Sequence, residues 1–528
     1  MAGLELVVAL CAAVLLGGVL AQRLGVAAPV ILVIAGLLLS MLPVFSSVVL
    51  PPEAVLLLFL PALLYWESLT TSLREIRRFI RGVVLTGTVL VVVTAAAVAA
   101  VAHALGVDWG TAWIIGAAVA PTDATATAAL SGSMARRQIT VLRAESLIND
   151  GTALVVYGLA VGAVTGTAEL GTWGVSGLFA LSFIGGIGIG LLSGWTMFQV
   201  RRRLTDPLFA NVGSLLTPFV TYLIAEQIHA SGVLAVVTCG LYMSQVTPRA
   251  VQAVTRQQGV AFWTLSTFLL NGALFVLVGL QVPASVRALD STSIGQGLAV
   301  VAAVFVSILL VRFGFLVISA YLIRAVDRRP QQRLLRATNS ARLVSTVAGL
   351  RGAVSLAVAL AVPKSMPDGS GFPDRDLIVF VVACVVVASL ILQGLALPRV
   401  IQWAQMPTDT SLRDELLMAQ RAAIEAALAA LPDLATDLDV PEDVAASLRN
   451  EYLEHLRATR ADQRGISDHP ALVRIDRHTQ LRLAMIATKR ATVVRLRDQR
   501  IIDDSALRII QAQLDAEDVR LRPPPAVE

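Results

Sequence analysis

Residues 110–132 read GTAWIIGAAVAPTDATATAALSG, an apolar run interrupted by a proline and an aspartate. A membrane-spanning helix needs about 20 mostly apolar residues, and this run is long enough. Pro121 cannot donate a backbone hydrogen bond and clashes with the preceding turn, so the helix should break there. A charge at mid-membrane costs about 2.5–3.5 kcal/mol, which makes Asp123 a candidate for function. The alternative is that Asp123 only caps a helix after the proline.

Apolar runs of similar length occur along most of the chain. Of its 528 residues, 56% are hydrophobic and 15% are charged, whereas soluble domains are about 45–50% apolar and about 25% charged. We therefore predict an all-α polytopic membrane protein with about thirteen spans. Their approximate cores are 4–21, 27–45, 52–69, 82–105, 110–131, 143–165, 174–200, 208–228, 231–246, 260–282, 295–323, 344–362 and 377–400. The first run carries Glu5 and no basic residue before its apolar core, so we expect a retained span rather than a signal peptide.

Basic residues are concentrated in alternate loops, and cytoplasmic loops of membrane proteins carry an excess of Lys and Arg. They follow the odd-numbered spans: Arg23, Arg74, Arg77, Arg78, Arg81, Arg136, Arg137, Arg201, Arg202, Arg203, Arg249, Arg256, Arg324, Arg328, Arg329, Arg333, Arg336 and Arg342. The other loops carry Arg287, Lys364 and Arg375. This alternation predicts an outside N-terminus and a cytoplasmic C-terminus. The net charge of +5 is thus a topology signal, and we expect no nucleic-acid partner.

The composition changes near Met406. Residues 406–528 are charged, and Leu, Ile and Ala recur there at three- and four-residue steps, which predicts a cytoplasmic helical domain. Residues 1–405 would form the membrane domain. An odd number of spans also permits an inverted repeat, with spans one to six matching spans eight to thirteen. Spans five and twelve would then be mates, and we expect two broken helices that cross near the middle of the membrane.

Span six opens with RAESLIND and brings more polar groups into the membrane. Glu145 and Asn149 are four residues apart and share one helix face, and Asp150 lies one step around. Hard cations take oxygen ligands, so we predict a cation- and proton-binding site made of Thr122, Asp123, Asn149 and Asp150. Asp123 and Asp150 would hold a bound Na⁺. The alternative for Asn149 and Asp150 is a simple Asn-Asp-Gly turn.

Span twelve contains GLRGAVSLAVAL, in which Arg351 lies between two helix-weakening glycines. A buried guanidinium needs a carboxylate partner, and we predict a buried ion pair between Glu145 and Arg351. The alternative is that Arg351 reaches out to the membrane surface. Two further residues are candidates for the ion pathway. Glu67 follows Pro61 in span three and could instead pair at the interface with a loop arginine, and Asn271 in span ten could instead serve helix packing.

Together these segments resemble the monovalent cation/proton antiporter family, in its sodium/proton exchanger branch. The matching segments are FLPALLYWES, APTDATA, ESLINDGTALVVY, SLLTPFVTYLIAEQIHASGVLAVVTCGL, FLLNGALFVLVGLQV and GLRGAVSLAVAL, in family order across residues 50–400. The resemblance implies a thirteen-helix fold, a homodimer, and alternating access by movement of a core bundle against a dimerisation bundle.

The resemblance also implies roles for individual residues. Ion binding would occur around Thr122, Asp123 and Asp150. Glu145 and Arg351 match the buried ion pair of the family, Asn149 matches its structural asparagine, and Glu67 matches an acidic position whose role varies. The Asn149-Asp150 pair looks like the electroneutral branch, since the electrogenic branch has two adjacent aspartates there.

We therefore predict a secondary active antiporter of the cell membrane that exchanges Na⁺, Li⁺ or K⁺ for H⁺ without enzymatic activity or a cofactor. A K⁺/H⁺ antiporter, a cation channel and a sensor signalling through residues 406–528 are the alternatives. The sequence has no GxGD, HExxH or GxSxG pattern for an intramembrane enzyme, and no P-loop for a pump. The ranking of the cations, the stoichiometry and the direction of flux do not follow from the sequence.

Overall fold

The computed structural model describes residues 2–42, 45, 55–128, 134, 136–166, 172–204, 206–289, 291–326, 338–366, 368–405, 411–463, 466 and 469–522. Within these ranges the chain is helical, and its one β contact is an isolated bridge between Ser365 and Gly371. The chain divides into two compact units, Met1–Thr408 and Asp409–Glu528.

The first unit consists of apolar helices. Their bounds are α1 Ala2–Leu24, α2 Ala28–Leu39, α3 Leu60–Thr70, α4 Leu73–Ala104, α5 Trp109–Val119, α6 Ala124–Ala128, α7 Arg136–Thr165, α8 Thr172–Arg203, α9 Pro207–Gln227, α10 Gly232–Ala250, α11 Ala253–Ala288, α12 Ser291–Val326, α13 Asn339–Val347, α14 Ala353–Leu360 and α15 Arg375–Ala404. Each predicted span core overlaps one helix or a pair of them. Among the described residues, eight helices are long and apolar enough to cross a membrane, so the chain is a multi-pass membrane protein. The count of thirteen spans stays a prediction.

The outer surface of this unit is apolar. Leu16 on α1, Ile184 on α8 and Leu310 on α12 are 68%, 70% and 66% exposed. Exposed apolar area on this scale is rare in a soluble monomer, whereas lipid tails solvate it without cost. Because lipid is as apolar as leucine, helix association in this unit depends on close packing and on hydrogen bonds between helices.

Two helices are broken near their centres. The first break separates α5 from α6 and contains Pro121, and the second separates α13 from α14 and contains Gly349 and Gly352. Both breaks lie where the sequence predicts them. The two unwound segments meet, since the backbone N–H of Asp123 donates to the carbonyl oxygen of Leu350 at 2.7 Å. Each break leaves further backbone groups without helical partners, and these must be satisfied from outside the helix.

The helices around the breaks form an aliphatic core. Ile114 on α5, Leu356 on α14 and Val381 on α15 are at most 1% exposed. Such surroundings contain no water to hydrogen-bond the freed backbone groups, so side chains of neighbouring helices must do so. Three π-helical turns occur among the described residues: Val55–Phe59 before α3, Leu85–Val89 within α4 and Ser389–Gln393 within α15.

The described residues of the second unit form four amphipathic helices. They are α16 Ser411–Asp437, α17 Glu442–Gln463, α18 Pro470–Asp498 and α19 Asp504–Leu521. A small set of apolar side chains is buried between them, including Leu456, Ile486 and Leu514. Ion pairs such as Arg460–Glu425 at 2.9 Å are exposed and contribute little stability. The proposed boundary at residue 405 and the location of this unit in the cytoplasm stay predictions.

Candidate cation and proton site

The break between α5 and α6 is held open by α7. The Oγ of Ser146 donates to the carbonyl oxygen of Thr122 at 2.9 Å and accepts the N–H of Ala124 at 3.3 Å. The side-chain amide of Asn149 donates to the Thr122 Oγ1 at 2.8 Å. The two Ser146 bonds satisfy backbone groups that the break leaves without helical partners, so side chains of α7 stabilise the unwound segment.

The Asp123 carboxylate lies between α6 and the second break. Its Oδ1 accepts the N–H of Ala126 at 3.3 Å, so Asp123 does cap α6. Its Oδ2 lies against the second break, because a Cβ added to Gly352 would lie 1.9 Å from it. Capping and a place at the crossing are therefore compatible, and only a glycine at position 352 leaves room for this arrangement.

One cavity brings most of the predicted residues together. Its lining includes Glu67, Thr122, Asp123, Asp150 and Asn271. Apolar side chains of α3, α11 and α14 complete the wall, so the carboxylates face a small and mainly apolar cavity. Asp150 is 6% exposed, and no described side chain forms a hydrogen bond or ion pair with it. Asn149 does not line this cavity; it lies behind Thr122 and orients it.

Two hydroxyl groups of the cavity escaped the sequence prediction. Ser146 and Ser355 both line it, and the Ser355 Oγ has no hydrogen-bond partner within the described ranges. The Oε1 of Glu67 is also without a partner there. Carboxylate and hydroxyl oxygens are what a hard monovalent cation needs, and carboxylates also accept protons. The described residues contain no group of three or more His, Cys, Asp or Glu side chains arranged to hold a metal. A cation here would therefore rely partly on neutral oxygens.

The predicted ion pair between Glu145 and Arg351 is wrong about the partner. The Oε1 of Glu145 lies 2.5 Å from the Nη1 of Arg312 on α12, and both side chains are at most 4% exposed. Arg351 instead donates from its Nη1 to the carbonyl oxygens of Ala120 and Pro121, at 2.7 and 2.9 Å. Those are carbonyls at the end of α5, where a cation is also favoured by the helix dipole. The break itself therefore binds the guanidinium that the sequence assigns to Glu145.

Arg312 is the important residue that the sequence analysis missed. It lies inside the predicted span 295–323, so a charge within an apolar run could have revealed it, as it revealed Arg351. Its Nε donates to the carbonyl oxygen of Ser345 at 3.0 Å, at the end of α13. Arg312 thus connects α7, α12 and the second break.

We expect Arg312→Gln to destabilise the protein strongly, because it leaves the buried Glu145 carboxylate unpaired. Removing one partner of a buried ion pair costs about 3–5 kcal/mol. The measurement is thermal unfolding in detergent, and adding Glu145→Gln should restore much of the loss. Arg351→Gln is the comparison variant. If Glu145→Gln rescues Arg351→Gln and fails to rescue Arg312→Gln, the pairing described here is contradicted.

Comparisons with known proteins identify the family of this chain. The family described as sodium/hydrogen exchanger, transmembrane, matches residues 8–403. An uncharacterized Na⁺/H⁺ exchanger of Mycobacterium tuberculosis (strain ATCC 25618 / H37Rv) is 42% identical over 528 residues, covering 100% of this chain and 97% of that protein. A sodium, potassium, lithium and rubidium/H⁺ antiporter of Bacillus pumilus (strain SAFR-032) is 30% identical over 357 residues, covering 66% and 53%.

A solved structure shares the fold. The sodium proton antiporter MjNhaP1 from Methanocaldococcus jannaschii, determined at pH 8, matches with a TM-score of 0.58 and 18% identity, over 76% of this chain and 99% of that one. At this identity the match shows the fold alone. The family match and the full-length relative go further: this chain belongs to the sodium/hydrogen exchanger family, a family of membrane transporters.

Proposed function

We propose that the chain is a secondary active antiporter that exchanges Na⁺, or Li⁺ or K⁺, for H⁺ by alternating access. The observation that supports this most directly is the cavity at the crossing of the two broken helices. Asp123 and Asp150 line it together with Thr122. Ion sites at the meeting point of discontinuous helices are typical of secondary transporters.

The mechanism follows from competition for the same carboxylates. A cation or protons can neutralise Asp123 and Asp150, and each excludes the other by charge and by space. The coupled carboxylates behave as one titrating unit rather than as two independent acids. The site is therefore loaded with either a cation or protons.

Coupling of cation and proton transport requires that the empty site does not reorient from one side of the membrane to the other. A site with two uncompensated carboxylates would be costly to carry past an apolar barrier, whereas a loaded site carries less net charge. Loaded forms can then reorient and the empty form cannot, which gives exchange instead of leakage. With one cation exchanged for one proton, transport would be electroneutral, and we expect no response to voltage.

The two buried arginines support the ion site without binding the transported ion. Arg312 neutralises Glu145, and Arg351 holds the carbonyl oxygens at the end of α5. Glu145 is thereby paired, and we assign the transported ion to Asp123 and Asp150. Glu67 lines the same cavity and could contribute a further oxygen, and Asn271 contributes a polar wall from α11.

A K⁺/H⁺ antiporter is the second candidate. Its support is the Bacillus pumilus relative, whose name includes potassium and rubidium beside sodium and lithium. Larger cations would need a wider arrangement of the same oxygens. The competition between cation and protons for the carboxylates would be unchanged.

The arrangement in the membrane belongs to the same proposal. We expect thirteen spans in the plasma membrane, an outside N-terminus and a cytoplasmic C-terminus, with spans one to six and eight to thirteen as inverted repeats. Residues 1–405 would carry out transport, as a homodimer serving pH and sodium homeostasis. Residues 406–528 would form a cytoplasmic helical domain.

The test is exchange in proteoliposomes that hold a pH gradient and a pH-sensitive dye. Addition of Na⁺, Li⁺ or K⁺ should collapse the gradient, and the concentrations required would rank the cations. Clamping the voltage with valinomycin and K⁺ during Na⁺ additions should leave the rate unchanged if transport is electroneutral. No collapse with any cation, from protein shown to be folded, would remove the antiporter assignment.

A further inference from the structure

We propose that Ser389 and Gln393 are positioning residues for the ion site, acting through the second broken helix. The inference rests on the proposed exchange function and adds residues to which that function assigns no role. Both residues belong to the π-helical turn Ser389–Gln393 of α15, and neither lines the cavity. They are 0% and 5% exposed.

The pair satisfies backbone groups on both sides of the break between α13 and α14. The Oγ of Ser389 accepts the N–H of Arg351 at 3.0 Å, and the Nε2 of Gln393 donates to the carbonyl oxygen of Val347 at 3.3 Å. Ser389 also donates to the Oε1 of Gln393, which joins the two side chains into one unit. In an unbroken helix the N–H of Arg351 would donate to the carbonyl oxygen of Val347, and here both groups bond to α15 instead.

The segment held in this way touches Asp123 directly. Leu350 accepts the N–H of Asp123 at 2.7 Å, and Gly352 lies against the Asp123 carboxylate. Arg351 stands between these two residues and is the one that Ser389 holds. A shift of Arg351 would therefore move Leu350 and Gly352, which both contact Asp123.

The first break is held by the same kind of device. On α7, Ser146 accepts the N–H of Ala124, and Asp150 follows four residues later. On α15, Ser389 accepts the N–H of Arg351, and Gln393 follows four residues later. A serine hydroxyl accepts a backbone N–H at both breaks. The residue four positions later is Asp150 at the first break and Gln393 at the second.

The chemistry explains why an amide is required at position 393. Gln393 accepts from Ser389 with its oxygen and donates to Val347 with its nitrogen. An ionised carboxylate can only accept, so a glutamate could replace both bonds only while it is protonated. Gln393→Glu should therefore behave like wild type at acidic pH and lose the bond to Val347 at alkaline pH.

The experiment uses the full-length protein with Ser389→Ala, Gln393→Leu and Gln393→Glu. Gln402→Leu is the matched control, because Gln402 is exposed on the same helix. Two readouts are compared over a range of pH: the Na⁺ concentration that half-saturates exchange, and the Na⁺ concentration that half-saturates thermal stabilisation of the purified protein. Ser389→Ala and Gln393→Leu should raise both concentrations about tenfold, the effect of one buried hydrogen bond, with a smaller change in maximal rate. Gln393→Glu should show this rise only at alkaline pH.

Unchanged Na⁺ dependence in folded Ser389→Ala and Gln393→Leu, with a wild-type pH profile in Gln393→Glu, would overturn the inference. If Ser389→Ala does not fold, the pH profile of Gln393→Glu decides, since wild type supplies its reference. Thermal stabilisation separates this inference from the proposed function. A wild type that binds Na⁺ but exchanges no protons would refute the function, and the binding data would still test the positioning role.

Discussion

Asp150→Asn is expected to abolish Na⁺-driven collapse of a pH gradient in proteoliposomes while the protein stays folded. Asparagine keeps the shape of the side chain and removes the charge that both the cation and the proton need. Asp150 is buried, lines the cavity and has no described partner, so neutralising it breaks no ion pair. Folding should therefore survive, because a buried uncompensated charge is replaced by a neutral amide.

The matched control is Asp376→Asn, which removes an exposed carboxylate at the start of α15. It should exchange like wild type. Thermal unfolding and size-exclusion profiles establish that both variants are folded. Full exchange activity in a folded Asp150→Asn protein would contradict the assignment of Asp150 as the residue that binds both the cation and the proton.

Gly352→Ala should have the second largest effect. We expect the exchange rate to fall to a small fraction of the wild-type rate or to zero. The backbone of Gly352 has φ −115° and ψ −169°, which alanine adopts without strain. The effect must then come from the added methyl group, which would lie 1.9 Å from the Oδ2 and 2.5 Å from the Cγ of Asp123. Either Asp123 or the second break must move, and forcing a methyl group into a packed site costs about 1–3 kcal/mol.

Gly188→Ala is the control for this substitution, because a Cβ at Gly188 on α8 would meet nothing within 4 Å. Exchange rate and Na⁺ dependence are measured for both variants beside wild type. Normal Na⁺ dependence in Gly352→Ala would show that the close approach of the two breaks is unimportant for transport.

The main features of the fold can be predicted from the sequence because they depend on residues that are close together in the chain. Membrane helices are long apolar runs, and each predicted core overlaps described helices. The two breaks were also visible, because Pro121 and the glycines at 349 and 352 act on their own turns. Asp123 and Asp150 stood out because a charge in an apolar run demands an explanation.

The ion pair could not be predicted with the same certainty, because its partners are far apart in the chain. Arg312 and Arg351 are both arginines in apolar runs, and nothing local distinguishes which one faces Glu145. The choice depends on the carbonyl groups that the first break exposes to Arg351, which is a property of the folded crossing.

The supporting hydroxyl groups were hidden for another reason. Ser146, Ser355 and Ser389 resemble the many small residues that allow membrane helices to pack closely. The π-helical turn that directs Ser389 toward Arg351 has no sequence signature comparable to a proline. Such residues become recognisable only when the unsatisfied backbone groups of the breaks are counted.

The central claim is that cation and proton compete for one site, and equilibrium binding of radioactive Na⁺ to the purified protein tests it most directly. We predict that Na⁺ binding releases about one proton. The half-saturating Na⁺ concentration should then rise by up to about tenfold for each unit by which the pH falls below the pKa of the site. Asp150→Asn should bind no Na⁺ at any pH. A half-saturating concentration that does not change with pH would contradict the account, because cation and proton would then occupy separate sites.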